Sequence, residues 1–296
     1  MPEMNKPRKQ TSSRLRELDA LRGLAALAVL IFHYTSRYDN LYGHPALVPD
    51  FWLGEYGVQL FFMISGFVIF MSLERVRSPL DFVVARASRL YPVYWAAVAL
   101  TFAVTALAGL PRLESSWCEA LVNLTMLQRL FGVPHVDEVY WTLTGELAFY
   151  ALMWLALVTR QLKNIVYWGC TWLVLMVTYA LVSELFGITL PGAIGNSLLL
   201  EHGHLFFAGI LFYQLYKGQA SRFAPLLLGA CLAMQFVVGS LASGLIVASF
   251  FGLFCLLLKG WLNILVVPPL LFLGSISYSH YLLHQNMRQL RVRCDI

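Results

Sequence analysis

The apolar segment LDALRGLAALAVLIFHYTSRYD, residues 18–39, carries two residues that are rare inside membrane helices. Arg22 and His33 are eleven residues apart, close to three helical turns, so they share one helix face about 16 Å apart along its axis. Asp19 lies one turn before Arg22 and can pair with it. Because charged and titratable groups are costly in hydrocarbon, this spacing favours chemistry at two depths of one helix. The alternatives are a snorkelling arginine and a histidine at the helix end.

A second titratable group opens a later apolar run, VYWTLTGELAFYALMW at 139–154. Glu146 lies about two turns into this predicted helix, which crosses in the opposite direction, so we expect it at a depth similar to that of His33. A carboxylate beside an imidazole can orient the ring or stabilise its charged form during acid–base catalysis. The competing interpretation is a structural His–Glu pair that locks two helices together.

Two further arginines lie in ARASRLYP, residues 85–92. Arg86 and Arg89 are three residues apart and therefore share a helix face. Two guanidinium groups on one face can hold a phosphate, although anchoring at the membrane surface would use the same residues.

These candidates separate into a phosphate-binding group on one side of the membrane and an acid–base group on the other. The distance between the groups is comparable to the pantetheine arm of coenzyme A. An acyl-CoA could bind its phosphates at the arginines and present its thioester to the histidine, and the acyl group would pass to a hydroxyl arriving from the far side.

The elements that must position these residues are long apolar runs. Of the 296 residues, 59% are hydrophobic and 12% are charged, whereas a soluble domain has about 25% charged residues. A run of about 20 apolar residues can cross a bilayer. We therefore predict an all-α, polytopic transmembrane helix bundle with eight full spans near 19–37, 56–73, 90–110, 139–158, 164–186, 201–216, 223–240 and 242–258. The largest interruption, 111–138, is interpreted as a loop with a short amphipathic helix.

The C-terminal region predicts a ninth crossing that is truncated. A surface segment is expected up to about Ser275, where a helix starts, and charges arrive in RQLRVRCDI after roughly ten apolar residues, too few to span. The predicted domains are a basic N-terminus (1–18), one membrane domain (19–284) and a divergent tail (285–296). When the three tail arginines (Arg288, Arg291 and Arg293) are left out of the count, a cytoplasmic N-terminus puts fifteen Lys and Arg residues inside and three outside. Membrane proteins prefer this distribution.

Other site types receive little support. The basic residues lie between apolar runs and form no single patch, so no nucleic-acid partner is predicted. Glu201, His202 and His204 are metal-ligand types, but histidines two residues apart diverge on a helix and no HExxH pattern exists. The five cysteines lack CxxC spacing. No metal is expected.

Five motifs, taken together, resemble the acyltransferase family 3 of integral membrane proteins. The resemblance covers residues 15–284, and the motifs occur in this order: LDALRGLAALAVLIFHY with its R-x10-H spacing, FFMISGFVI, RASRLYP, WTLTGELAFY and LGSISYSHYLLH. Family members continue beyond this point, and this sequence leaves the family pattern after His284.

The resemblance implies about ten transmembrane helices in a bacterial inner membrane. It also implies transfer of acetyl or other acyl groups from acyl-CoA to envelope carbohydrates such as surface polysaccharide or lipopolysaccharide. The family's essential histidine and arginines fall on His33, Arg86 and Arg89, with Arg22 as companion of the histidine. The glutamate of its fourth-helix motif falls on Glu146.

We therefore predict a membrane O-acyltransferase that uses acetyl-CoA and a carbohydrate or lipid-linked glycan acceptor. His33 and Glu146 are the predicted catalytic residues, and Arg22, Arg86 and Arg89 bind the CoA phosphates. A covalent acyl-histidine is an alternative route, because an imidazole can also act as a nucleophile. The alternative functions are a polytopic transporter or proton relay and an inactive, truncated remnant of the enzyme.

Overall fold

The computed structural model describes residues 15–37, 49–108, 115–191, 194–195 and 198–294, with side chains described up to residue 284. All regular elements within these ranges are helical, which confirms the all-α class. The helices are α1 Arg16–Tyr34, α2 Gly57–Leu73, α3 Pro79–Ala108, α4 Trp117–Asn123, α5 Trp141–Val158, α6 Ile165–Phe186, α7 Gly203–Tyr216, α8 Ala224–Val238, α9 Leu241–Leu258 and α10 Pro268–Cys294. Short 3-10 turns precede several of them, among them Trp52–Tyr56 before α2 and Glu138–Tyr140 before α5.

Five helical segments of the described chain are long and apolar enough to cross a membrane. They are Trp52–Leu73, Pro79–Leu107, Glu138–Val158, Leu162–Phe186 and Leu241–Leu258. α8 is apolar but shorter, α7 has 14 residues, and the charged residues at the start of α1 lower its apolar content. Eight helices nevertheless coincide with the eight predicted runs to within a few residues, apart from the earlier start of α3.

α1 and α10 form the most extensive helix pair among the described residues. They run in the same direction, because Gly23 lies against Gly274 and His33 lies against His284. A Cβ atom on Gly23 would lie 2.7 Å from the backbone nitrogen of Gly274. Small residues allow helix backbones to approach this closely, so the glycine pair sets the crossing point.

The core of the bundle is the α2–α7 pair. The two helices cross at Gly66 and Gly209, where a Cβ on Gly209 would lie 3.0 Å from the Cα of Gly66. Residues 203–213 of α7 are all buried, so this helix is enclosed by its neighbours. In contrast, α6 exposes large apolar side chains such as Val174 and Leu181, as expected of a lipid-facing helix.

A folded-back segment, residues 115–140, returns from the far end of α3 to the middle of that helix. It begins with the short helix α4, as the sequence predicted. Three aromatic side chains of α3 hold it: Tyr91 Oη donates to the Thr125 carbonyl (3.1 Å), Tyr94 Oη to that of Asn123 (2.8 Å) and Trp95 Nε1 to that of Leu124 (3.0 Å). These bonds satisfy three backbone carbonyl groups. In apolar surroundings, a carbonyl without a hydrogen-bond donor is energetically costly.

The structure corrects two predicted helix starts. α3 begins at Pro79, about three turns before the expected residue 90, and so contains both Arg86 and Arg89. α10 begins at Pro268, whereas the sequence placed the start near Ser275; proline is well tolerated in the first turn of a helix. The predicted basic N-terminus lies outside the described residues as far as residue 14.

Candidate active site

A cavity of about 430 Å³ opens between α1, α2, α3 and α10. Its polar lining includes Asp19, Arg22 and Arg89, and α10 contributes residues 274–275 and 277–279. Two of the predicted phosphate-binding arginines, which are 67 residues apart in the sequence, therefore face one cavity.

Arg22 is surrounded by charges from other helices. It lies within electrostatic range of Arg89 on α3 and Glu146 on α5 as well as Asp19 on its own helix. Two positive groups beside one cavity attract an anion with several charges, and Glu146 offsets part of their repulsion. The arrangement suits the binding of a polyphosphate.

Arg86 lies next to this group but is held differently. Its guanidinium carbon lies 5.6 Å from the ring centre of Phe82 and 5.8 Å from that of Tyr150, both within range of a cation–π interaction. Nε and Nη1 of Arg86 are buried and have no hydrogen-bond partner among the described residues. These donors are thus available to an anion that enters the site.

Glu146 is fixed by the tyrosine one turn after it. Tyr150 Oη donates a hydrogen bond of 2.6 Å to Oε1 of Glu146. Tyr150 is also the ring beside Arg86, so one side chain connects the carboxylate to the arginines. The i, i+4 spacing in ELAFY could have indicated this pair from the sequence.

The structure places Glu146 deeper than His33, which differs from the expectation of equal depth. Thr142, one turn before Glu146, lies 3.0 Å from Tyr281 through their hydroxyl oxygens, and Tyr281 is almost one turn below His284. Glu146 thus lies about 10 Å below the level of His33 along the bundle. The reason is that α5 starts beneath the folded-back segment, with Tyr140 packed on Tyr94 in the middle of α3.

His33 instead contacts a second histidine. The ring centres of His33 and His284 are 4.6 Å apart and the ring planes are nearly perpendicular, at 82°. Nδ1 of His33 lies 2.9 Å from the carbonyl oxygen of Val29, and Tyr34 Oη donates to the carbonyl oxygen of His284 at 3.2 Å. The sequence alone did not indicate a role for His284, although this residue lies within the motif LGSISYSHYLLH.

The folded-back segment buries a carboxyl group close to this end of the bundle. Asp137 is 2% exposed, and burial raises its pKa from 3.8 to about 7, although the Val139 N–H that it accepts opposes the shift. Burial also lowers the pKa of His135 to about 4, and its Nδ1 is hydrogen-bonded to Gln128 Nε2 at 2.6 Å. This region therefore changes charge near neutral pH through Asp137.

The histidines of the EHGH stretch have structural surroundings. His204 is fully buried, and its Nε2 lies 2.9 Å from Oε1 of Gln235 on α8. His202 packs between the rings of Phe62 and Trp141. Within the described ranges, no group of three or more His, Cys, Asp or Glu residues is arranged to hold a metal ion.

The sequence is also similar to a known family and to proteins of known name. The family model described as an acyltransferase domain matches residues 15–290. The exopolysaccharide production protein ExoZ of Rhizobium meliloti (strain 1021) is 31% identical over 256 residues, which cover 79% of this chain and 76% of that protein. The acyltransferase MdmB of Streptomyces mycarofaciens is 28% identical over 52% of this chain and 43% of its own length. No solved structure matches the chain significantly.

The family model spans all of the described helices except the last few residues of α10, and includes the arginine cavity and the histidine pair. The chain therefore belongs to acyltransferase family 3, as its motifs indicated.

Proposed function

We propose that the protein transfers an acyl group, acetyl in the simplest case, from cytoplasmic acyl-CoA to a hydroxyl group of a carbohydrate. The observation that carries this proposal is the arrangement along α1. Arg22, towards the start of α1, lines a cavity together with Arg89. His33 lies three turns further along α1, near the end of the helix. That distance, about 16 Å, matches the length of a pantetheine arm between phosphates and thioester.

The donor binds through its phosphates. Arg22 and Arg89 face the cavity, and Arg86 offers two buried nitrogens without partners among the described residues. Glu146 serves on this side as the counter-ion of Arg22, a role that its depth favours over the orientation of His33 inferred from the sequence. The cavity lining on α10 reaches Ser279, about one and a half turns below His284.

The transfer itself takes place at His33. Its Nε2 accepts the proton of the acceptor hydroxyl while that oxygen attacks the thioester carbonyl. The new C–O bond forms as the C–S bond breaks, and the proton on His33 then passes to the CoA thiolate. The products are an ester and CoA thiol, and His33 returns to its neutral form.

The acceptor is a surface polysaccharide or a lipid-linked glycan. ExoZ is named for exopolysaccharide production, and the match covers most of both chains. The excess of Lys and Arg on the arginine side of the bundle supports a bacterial inner-membrane protein with a cytoplasmic N-terminus. Donor binding on that side and the acceptor at the His33 end follow from this orientation.

The test is transfer of radiolabelled acetyl from acetyl-CoA to cell-envelope glycans, with purified protein in lipid vesicles. Wild type and His33→Ala are compared, and His202→Ala controls for the loss of a histidine elsewhere. Label that appears with wild type and His202→Ala but not with His33→Ala supports the proposal. Equal label with all three proteins overturns the role of His33, and no label with wild type overturns the function.

A second measurement separates direct transfer from an acyl-histidine intermediate. Protein is incubated with labelled acetyl-CoA in the absence of acceptor and then denatured. Direct transfer predicts no protein-bound label, whereas stoichiometric label on His33 would assign the covalent route.

A further inference from the structure

His33 and His284 lie at one level of the bundle because α1 and α10 share the same spacing from glycine to histidine. His33 follows Gly23 by ten residues on α1, and His284 follows Gly274 by ten residues on α10. The two glycines form the crossing point of these parallel helices. Both rings therefore lie about 15 Å beyond the crossing, where they meet edge to face at 4.6 Å.

Both rings carry their proton on the same nitrogen. Nδ1 of His33 lies 2.9 Å from the Val29 carbonyl oxygen, and Nδ1 of His284 lies 2.8 Å from that of Tyr281. A carbonyl oxygen only accepts, so Nδ1 is the protonated nitrogen in each ring. The lone pair of each neutral ring is then on Nε2. For His33, Nε2 is thus the basic nitrogen.

His284 is an uncharged, enclosed neighbour of that base. The residue is 5% exposed, and its Nε2 is buried without a hydrogen-bond partner among the described residues. A buried acceptor that lacks a donor is unfavourable. The lone pair of this nitrogen carries partial negative charge, so a positive charge on the ring whose centre lies 4.6 Å away lowers the energy of the pair relative to two neutral rings.

We propose that His284 is a positioning residue of the acyl transfer, which stabilises the imidazolium of His33 and holds its ring with Nε2 towards the acceptor. The inference rests on the proposed function and extends it to a residue on another helix. His284 exchanges no proton with the substrates. The proton moves from the acceptor hydroxyl to His33 and then to the thiolate, and His284 lowers the energy of the intermediate charge.

The experiment compares His284→Gln with His284→Met in the vesicle assay. The two replacements have similar volume, but only Gln retains an oxygen acceptor near the position of Nε2. His280→Met, one turn earlier on α10, is the matched control. Melting temperatures of the purified proteins establish that each variant is folded, and His284→Leu replaces His284→Met in the comparison with His284→Gln if the Met variant aggregates.

We expect His284→Met to lower kcat about 10- to 100-fold, at most the smallest effect typical of a direct acid or base, which is about 100-fold. The KM for acetyl-CoA stays unchanged, His284→Gln recovers most of the loss, and His280→Met behaves like wild type. Equal losses in the Gln and Met variants, or a loss confined to KM, would overturn the inference and leave the proposed function standing. A wild-type protein without transfer would overturn both.

Discussion

Gly23 and Gly274 bring the backbones of α1 and α10 into direct contact, with Gly274 of α10 seated beside the carbonyl oxygen of Asp19. This one contact fixes the register of the two helices that carry His33 and His284. It also places Gly274 in the lining of the arginine cavity. The arginine cavity and the histidine pair therefore depend on the same crossing.

Replacement of Gly274 by valine is expected to destabilise the protein and reduce acyl transfer. The added side chain has no space against α1, and overpacking of this kind costs about 1–3 kcal/mol. Thermal unfolding in detergent measures the effect. Gly252→Val on α9 is the control, because a Cβ at that position has no heavy atom within 4 Å apart from its own helix. Equal melting temperatures for the two variants would contradict the close crossing.

Replacement of Arg89 by glutamine is expected to weaken donor binding. A charge-assisted hydrogen bond contributes about 1.5–3 kcal/mol, which corresponds to a rise in the KM for acetyl-CoA of roughly 10-fold or more. The same change at Arg77, an exposed arginine in the loop before α3, removes equal charge outside the cavity and should leave KM unchanged. If both variants respond alike, general surface charge and not the cavity attracts the donor.

The Glu146→Gln variant distinguishes the two roles considered for this residue. Glutamine still accepts the hydrogen bond from Tyr150 but removes the negative charge near Arg22. As a counter-ion on the donor side, Glu146 competes with phosphate, so we expect a lower KM for acetyl-CoA, a lower melting temperature and little change in kcat. A fall in kcat at constant KM would instead support the role inferred from the sequence, orientation of His33. Tyr150→Phe, which keeps the charge of Glu146 but removes the hydrogen bond, separates the effect of the bond from that of the charge.

The buried carboxyl of Asp137 makes stability depend on pH. Its pKa is raised from 3.8 to about 7 in the folded protein, so the folded state holds the proton more tightly than the unfolded state. Stability is then highest below about pH 4, falls as the pH rises to about 7, and is constant above that. We expect Asp137→Asn to melt at a higher temperature than wild type at pH 8 and at a similar temperature at pH 4.

The control for this prediction is Glu138→Gln. Glu138 is exposed and forms an ion pair with Arg37 at 2.9 Å, and exposed pairs of this kind contribute little to stability. Its replacement should leave most of the pH dependence of melting in place, because burial is the main cause of the raised pKa of Asp137 and the charge of Glu138 is a smaller one. If Asp137→Asn and wild type differ equally at both pH values, the carboxyl is not the group that titrates.

The helices of this protein follow from its sequence with little ambiguity. Apolar runs of 15 residues or more have few other ways to satisfy their backbone groups in hydrocarbon, so the eight predicted runs coincide with eight helices. Helical periodicity alone places Arg86 and Arg89 on one face of α3. It likewise places Arg22 and His33 on one face of α1. These are properties of single helices, and single helices are what a sequence encodes locally.

The depths of the helices and their neighbours were decided by tertiary packing. Counting turns from an assumed membrane surface predicts that Glu146 lies level with His33. The folded-back segment instead displaces the start of α5 inward, and Glu146 lies within electrostatic range of Arg22. The partner of His33 is His284, 251 residues away, and nothing local connects them. Two glycines on separate helices bring them together, because only their lack of side chains lets the two backbones touch.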